Sequence, residues 1–212
     1  MIYDLLKATL ETLYMTFFSG VLSVALGIPL GILLYLSSKS EKKHLKIIYS
    51  VTDFIVNTFR SIPFIILIIL LIPLTKFLLG TIIGSNAAVV SLTIAAVPFM
   101  ARLSENSFNK VSDNLIDVSE SMGMTTFQFV FKILLPETLP ETVSDITVLF
   151  INLITFTAIA GAVGAGGLGQ MAINYGYYKF QIDVLLYDVI ILICITQIIQ
   201  FSGKKISDLL KK

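Results

Sequence analysis

A few residue groups in this chain have types and spacing that could do chemistry. Gly164, Gly166 and Gly169 fit G-x-G-x-x-G, with Asp188 nineteen residues beyond Gly169. That order belongs to a loop that cradles a pyrophosphate, with an acid for the ribose. Asn152 and Thr155 are polar residues within a long uncharged run and share one side of a helix, where they could hydrogen-bond a solute or a neighbouring helix. Cys194 is the single cysteine, which excludes an intrachain disulfide and a cysteine-based zinc site, and His44, the single histidine, reads as a solvated loop residue. The stretch "DVSESMGMTTFQFVFKILLPETLP", Asp117 to Pro140, offers an acid, a turn glycine and aromatic residues at helical spacing. Its chemistry is that of a surface that rests on lipid or the bundle, or docks a partner. No constellation of nucleophile, base and acid is present, and no G-x-x-x-x-G-K-[ST] occurs, so the sequence assigns no catalysis and no bound ATP to this chain.

The elements that must position these residues are membrane helices. Of 212 residues 56% are hydrophobic and 14% charged, and the mean hydropathy is +0.89. Soluble domains carry about 25% charged residues. The net charge of +1 gives no nucleic-acid footprint. Charges bracket uncharged runs of 27 residues (Thr12 to Ser38), 25 (Phe77 to Ala101) and 33 (residues 146–178). A crossing needs about 20. The run from Ser61 to Thr75 has only 15, so its helix must begin earlier and hold Arg60 near one interface. Five crossings are expected, at about 12–37, 50–76, 86–106, 142–163 and 183–203, within a single all-α membrane domain. No cleavable signal peptide is evident, because Asp4, Lys7 and Glu11 precede an apolar run too long for one.

Basic residues orient the chain. With the N-terminus outside, twelve lysines and arginines fall on the inner side and three (Lys7, Lys76 and Lys179) on the outer side, a strong positive-inside bias. The C-terminus and the segment of about 107–141 are then cytoplasmic, and the glycine cluster faces out. No soluble strand precedes those glycines and no βαβ unit contains them, so the nucleotide fingerprint lacks its context. They read as bends that end crossing four, or as an outer loop that an external protein presses on.

The cytoplasmic segment reads as two short helices at an elbow. Ser112 to Met122 contains good helix formers, and Gly123 can take the left-handed conformation that ends a helix. Thr125 with Gln128 three residues on is the pattern of a capping box. Phe127, Phe131 and Leu134 should form one apolar stripe, flanked by Val130 and Ile133. Pro136 and Pro140 should stop the helix. From these residues alone the elbow is either an interfacial loop or a docking surface. Ser19, Ser23, Gly27 and Gly31 recur every four residues, the pattern of close helix packing. Pro29, Pro63 and Pro98 break helix ladders, as packing kinks or as hinges of a gate. Asn152, Thr155, Pro63 and Pro98 are the candidates for a translocation path.

The elbow resembles the loop of ABC-importer permeases, which reads Glu-Ala-Ala, three residues, Gly, nine residues, Ile, one residue, Leu-Pro. Here Asp117, Val118 and Ser119 precede Gly123 by the same interval, and Ile133 and Leu135-Pro136 follow at the same distances. Asp replaces Glu, and Val-Ser replaces Ala-Ala. The stretches "TLETLYMTFFSGVLSVALGIPLGILL", "RSIPFIILIILLIPLT", "SLTIAAVPFMAR" and "AIAGAVGAGGLGQMAINYGYYKFQ" are similar to those of methionine importer permeases. That resemblance implies a homodimer in the bacterial cytoplasmic membrane, moving methionine, in L and D forms or as close analogues, by alternating access. It implies two cytoplasmic ATPase subunits that bind the ATP and magnesium, so that this chain needs no cofactor of its own. It further implies an extracytoplasmic binding protein, often lipid-anchored. By the same resemblance Asp117, Val118, Ser119, Gly123, Phe127, Phe131, Ile133, Leu135 and Pro136 form the coupling surface for the ATPase. The alternatives are a permease for another small amino acid or solute, and a self-contained channel or ion-coupled carrier.

Overall fold

The computed structural model describes residues 2–211. Among them every regular element is helical. The order is α1 (Ile2–Lys39), α2 (Lys43–Ser61), α3 (Phe64–Leu70), α4 (Ile72–Leu79), α5 (Ser85–Phe108), α6 (Asp113–Ser121), α7 (Thr126–Phe129), α8 (Leu135–Glu137), α9 (Leu139–Ala162), α10 (Gly167–Met171) and α11 (Ile182–Leu210). Turns of π-helix at Val130–Leu134 and Ala172–Tyr178 continue α7 and α10. Helices α1, α5, α9 and α11 are each long and apolar enough to cross a membrane.

The second crossing departs from expectation. Instead of one rod over about 50–76, α2 and α3 meet at a bend of 106° and pass as a span only when taken together. The cause is local. A residue before proline is pushed out of the α region, and Ile62, before Pro63, is extended at φ −80°, ψ 123°. Pro63 also has no N–H to give to a continuing helix.

The centre of the bundle is the pairing of α1 with α5. Ser19, Ser23, Gly27 and Gly31 are all buried. A methyl group on Gly27 would lie 2.6 Å from Met100 Cβ, and one on Gly31 would lie 2.7 Å from Ser104 Cβ. Neither fits, so these small residues let the two backbones approach at van der Waals distance, which is the main source of helix association in lipid. Met15, Leu92, Ala96, Met100, Leu149 and Leu153 fill the core where α9 joins the pair, and α11 packs along α9. At 38 residues, α1 is about 57 Å long, against a hydrocarbon core of about 30 Å. Its first turns therefore project past the bilayer, where they meet the glycine loop described below.

Candidate functional site

The elbow is built by two local signals. Around Gly123, at φ 67°, Met122 N–H donates to Val118 O at 3.0 Å and Met124 N–H to Ser119 O at 3.1 Å. Nothing lies within 4 Å of where a Cβ would stand, so glycine is required there only by the backbone angle. Thr125 then caps α7. Gln128 N–H donates to Thr125 Oγ1 at 3.3 Å, and Thr125 N–H donates to Gln128 Oε1 at 2.9 Å, the reciprocal pair that the spacing predicts.

The apolar stripe is different from the expected one. Phe127 and Phe131 are 71% and 55% exposed, with ring centroids 4.4 Å apart. Leu134 is fully buried with Phe129 and Val130 against Tyr35, Phe108 and Val111. The π turn explains this: Leu135 N–H donates five residues back, to Val130 O. Each residue in such a turn advances less around the axis than in an α-helix, and Leu134 rotates off the aromatic face. The same turn changes the role of the prolines. Pro136 does not stop the helix; it enters α8 at the first turn, and Pro140 enters α9 likewise. The wider turn before Pro136 relieves the clash its ring would make with the carbonyl four residues earlier. Asp117, Val118 and Pro136 are exposed. Ser119 is buried and donates to Ile116 O at 2.7 Å. Ile133 and Leu135 pack against the bundle.

The path candidates are brought only partly together. Asn152 lines a cavity of about 250 Å³ with Phe59, Arg60, Phe64, Phe99 and Phe156. Phe64 and Phe156 stack with centroids 4.5 Å apart and planes 10° from parallel. Pro63 makes the bend that brings the end of α2 and the start of α3 to this cavity. Thr155 is exposed near it without lining it. Pro98, expected to face the path, is buried in the body of α5 and does not line the cavity. Arg60 is the larger correction. Ala95 and Phe99 occupy the middle of the 24-residue α5, and Asn152 the middle of the 24-residue α9. Arg60 shares their cavity, so it sits near half depth and not at an interface.

Two further polar sites were not legible in the sequence. The Arg102 guanidinium donates to Glu105 at 2.5 Å, to Asn57 Oδ1 at 3.1 Å, and to Asp53. Asn57 Nδ2 in turn donates to Asp53 Oδ2 at 3.0 Å. This cluster pins α2 to α5. Its sequence signals are only the i, i+4 spacing of Asp53 and Asn57 and the i, i+3 spacing of Arg102 and Glu105, neither of which says that the two pairs meet. On the opposite side of the bundle, Gly167 N–H donates to Glu11 Oε2 at 2.8 Å and Leu168 N–H to Thr12 Oγ1 at 2.9 Å. A Cβ on Gly167 would fall 2.6 Å from Thr12 Oγ1. The glycine cluster thus forms a latch between the start of α10 and α1. Asp188 takes no part in it: the carboxylate is buried in α11 with neither oxygen hydrogen-bonded among the described residues.

Residues 27–210 match the family described as binding-protein-dependent transport system inner membrane component. The chain belongs to this family. It is therefore a multi-pass membrane permease component. Among its relatives, the methionine import system permease protein MetP of Bacillus subtilis is 46% identical over 99% of this chain and 94% of its own length. The probable D-methionine transport system permease protein MetI of Vibrio cholerae is 42% identical over 94% of this chain and 88% of its own length. A solved structure of the MetNI methionine ABC transporter, in an inward-facing conformation, superposes with a TM-score of 0.97. It is 42% identical and covers 100% of this chain and 98% of the solved one. An amino acid ABC transporter solved with histidines shares the fold at a TM-score of 0.70 and 20% identity.

Proposed function

We propose that this chain is the membrane-spanning subunit of an ATP-driven methionine importer. It works as a homodimer with two cytoplasmic ATPase subunits, which bind ATP and magnesium, and with an extracytoplasmic binding protein. The observation that carries this reading is the 46% identity to a methionine import permease over 99% of the chain. The elbow adds a physical reason. Asp117, Phe127 and Phe131 present an acid and two adjacent rings to the outside, and exposed aromatic pairs of this kind are typical anchors for a protein partner.

A mechanism follows from continuity of the backbone. From Thr126 through Ala162 the chain is helical apart from the single residue Thr138, whose Oγ1 and N–H both donate to Leu134 O, at 2.7 and 3.1 Å. A displacement of the aromatic pair by an ATPase subunit is therefore passed along a stiff arm to Asn152. In this reading the N-terminus is outside, the C-terminus and elbow are cytoplasmic, and the cavity walls on α3, α5 and α9 part on alternate sides. The test is uptake of labelled methionine into proteoliposomes holding this chain, its ATPase partner and its binding protein. ATP-dependent accumulation, competed by unlabelled methionine and not by unrelated solutes, is the expected result. ATP-driven uptake of another amino acid in preference would move the substrate assignment; uptake without ATP or partner would remove the importer reading.

A further inference from the structure

We infer that the cavity between Arg60 and Asn152 is a transit site for the transported amino acid, and that Arg60 receives its α-carboxylate. This rests on the importer reading and adds to it a site with a defined chemistry.

An ionisable residue at half depth in a membrane bundle faces protein or water and marks a pathway by default. Two arginines lie at or near α2 in this bundle, and the fold treats them differently. Arg102 is met by two carboxylates and an amide. Arg60 is exposed to its cavity and forms no ion pair or hydrogen bond among the described residues. The cavity therefore holds a cation without a counter-charge from its own chain, and an anion is the ligand that such a wall favours. A planar guanidinium presents paired N–H donors that match the two oxygens of a carboxylate.

The remaining walls fit the rest of a free amino acid. Phe59, Phe64, Phe99 and Phe156 turn aromatic carbon into the space. Ring faces attract an ammonium group, and rings also make favourable contacts with a thioether sulfur. Asn152 supplies both a donor and an acceptor. The volume of about 250 Å³ falls below the roughly 300–1,000 Å³ of pockets for drug-sized ligands. That suits one amino acid. The walls come from both sides of the bend and from α5 and α9, so the site is assembled and taken apart as α9 moves.

The experiment uses the permease–ATPase complex in nanodiscs without binding protein, probed with labelled methionine and with methioninol, which lacks the carboxylate. Parallel uptake assays use the complete system. All values are normalised to assembled complex recovered by size exclusion. Loss of a charge-assisted pair should weaken methionine binding in Arg60→Gln by about tenfold to a hundredfold and lower maximal uptake in proportion. Arg60→Lys should recover part of both. Methioninol should bind wild type more weakly than methionine does, and Arg60→Gln should discriminate between the two no longer. The methioninol comparison needs only wild type, so it stands even if a variant fails to assemble. Equal binding of methionine and methioninol to wild type, no methionine binding to the complex, or normal binding and uptake in Arg60→Gln would each overturn the site while leaving the importer reading intact. Absence of methionine uptake in the complete wild-type system would remove both.

Discussion

Glu105 and Arg102 show how a single side chain can matter where burial leaves little water to help. The Glu105 side chain is 4% exposed, and its ion-pair partner among the described residues is Arg102, whose side chain is 16% exposed. Removing one member of such a pair strands the other, at a cost of about 3–5 kcal/mol. Arg102→Ala should therefore destabilise the solubilised protein by about 3 kcal/mol or more, read as a fall in melting temperature, and should free α2 from α5. Arg102→Leu combined with Glu105→Leu should recover part of that loss, because it removes both charges of the more buried pair and leaves only Asp53, whose side chain is 29% exposed and can turn to solvent. If the double variant melts no higher than Arg102→Ala, the cluster is not the tie described above. Residue-level features were legible where they were local. The Thr125–Gln128 cap is a contact three residues apart, and the sequence states it. The Arg102 cluster depends on which face of α2 meets α5, which no local pattern encodes.

Among the elements, the elbow carries the sharpest test. Gly123→Val meets no steric obstacle, so its effect is confined to the backbone: a β-branched residue at φ 67° costs about 1–2 kcal/mol. Asp117→Lys reverses a charge on an exposed surface, and like charges facing across an interface cost several kcal/mol. Both variants should reach the membrane at near-normal levels, recover less ATPase subunit on purification and lose most ATP-driven uptake. Full coupled uptake in both would reduce the elbow to a linker. This element is legible in the sequence except where helix geometry changes. A uniform α-helical period puts Leu134 on the stripe, and the π turn before Pro136 breaks that period. The second crossing failed for a related reason. Charge spacing treats a span as a vertical rod, whereas the break at Ile62–Pro63, just after Arg60, turns it through 106°.

At the scale of the whole molecule, one face of α9 is left uncovered in the subunit. Val148 and Thr155, seven residues apart and so on one side of the helix, are both exposed. If the two-fold axis of the proposed homodimer runs beside that face, single cysteines at these positions in a Cys194→Ser background should form disulfide-linked dimers. Crosslinking confined to α1 would relocate the axis. Reporters fused after Lys43 or Thr126 should read cytoplasmic and those after Gly84 or Tyr177 external; swapped signals would invert the orientation. The latch between α1 and the glycine loop bears on biosynthesis. Glu11 and Gly167 are 156 positions apart, and ribosomes add roughly 5–20 residues per second. The first turns of α1 must therefore wait about 8–30 s after their own synthesis before the partner that holds them exists. During that interval the nascent protein has an unlatched outer end, and the insertion machinery or a chaperone has that long to engage it.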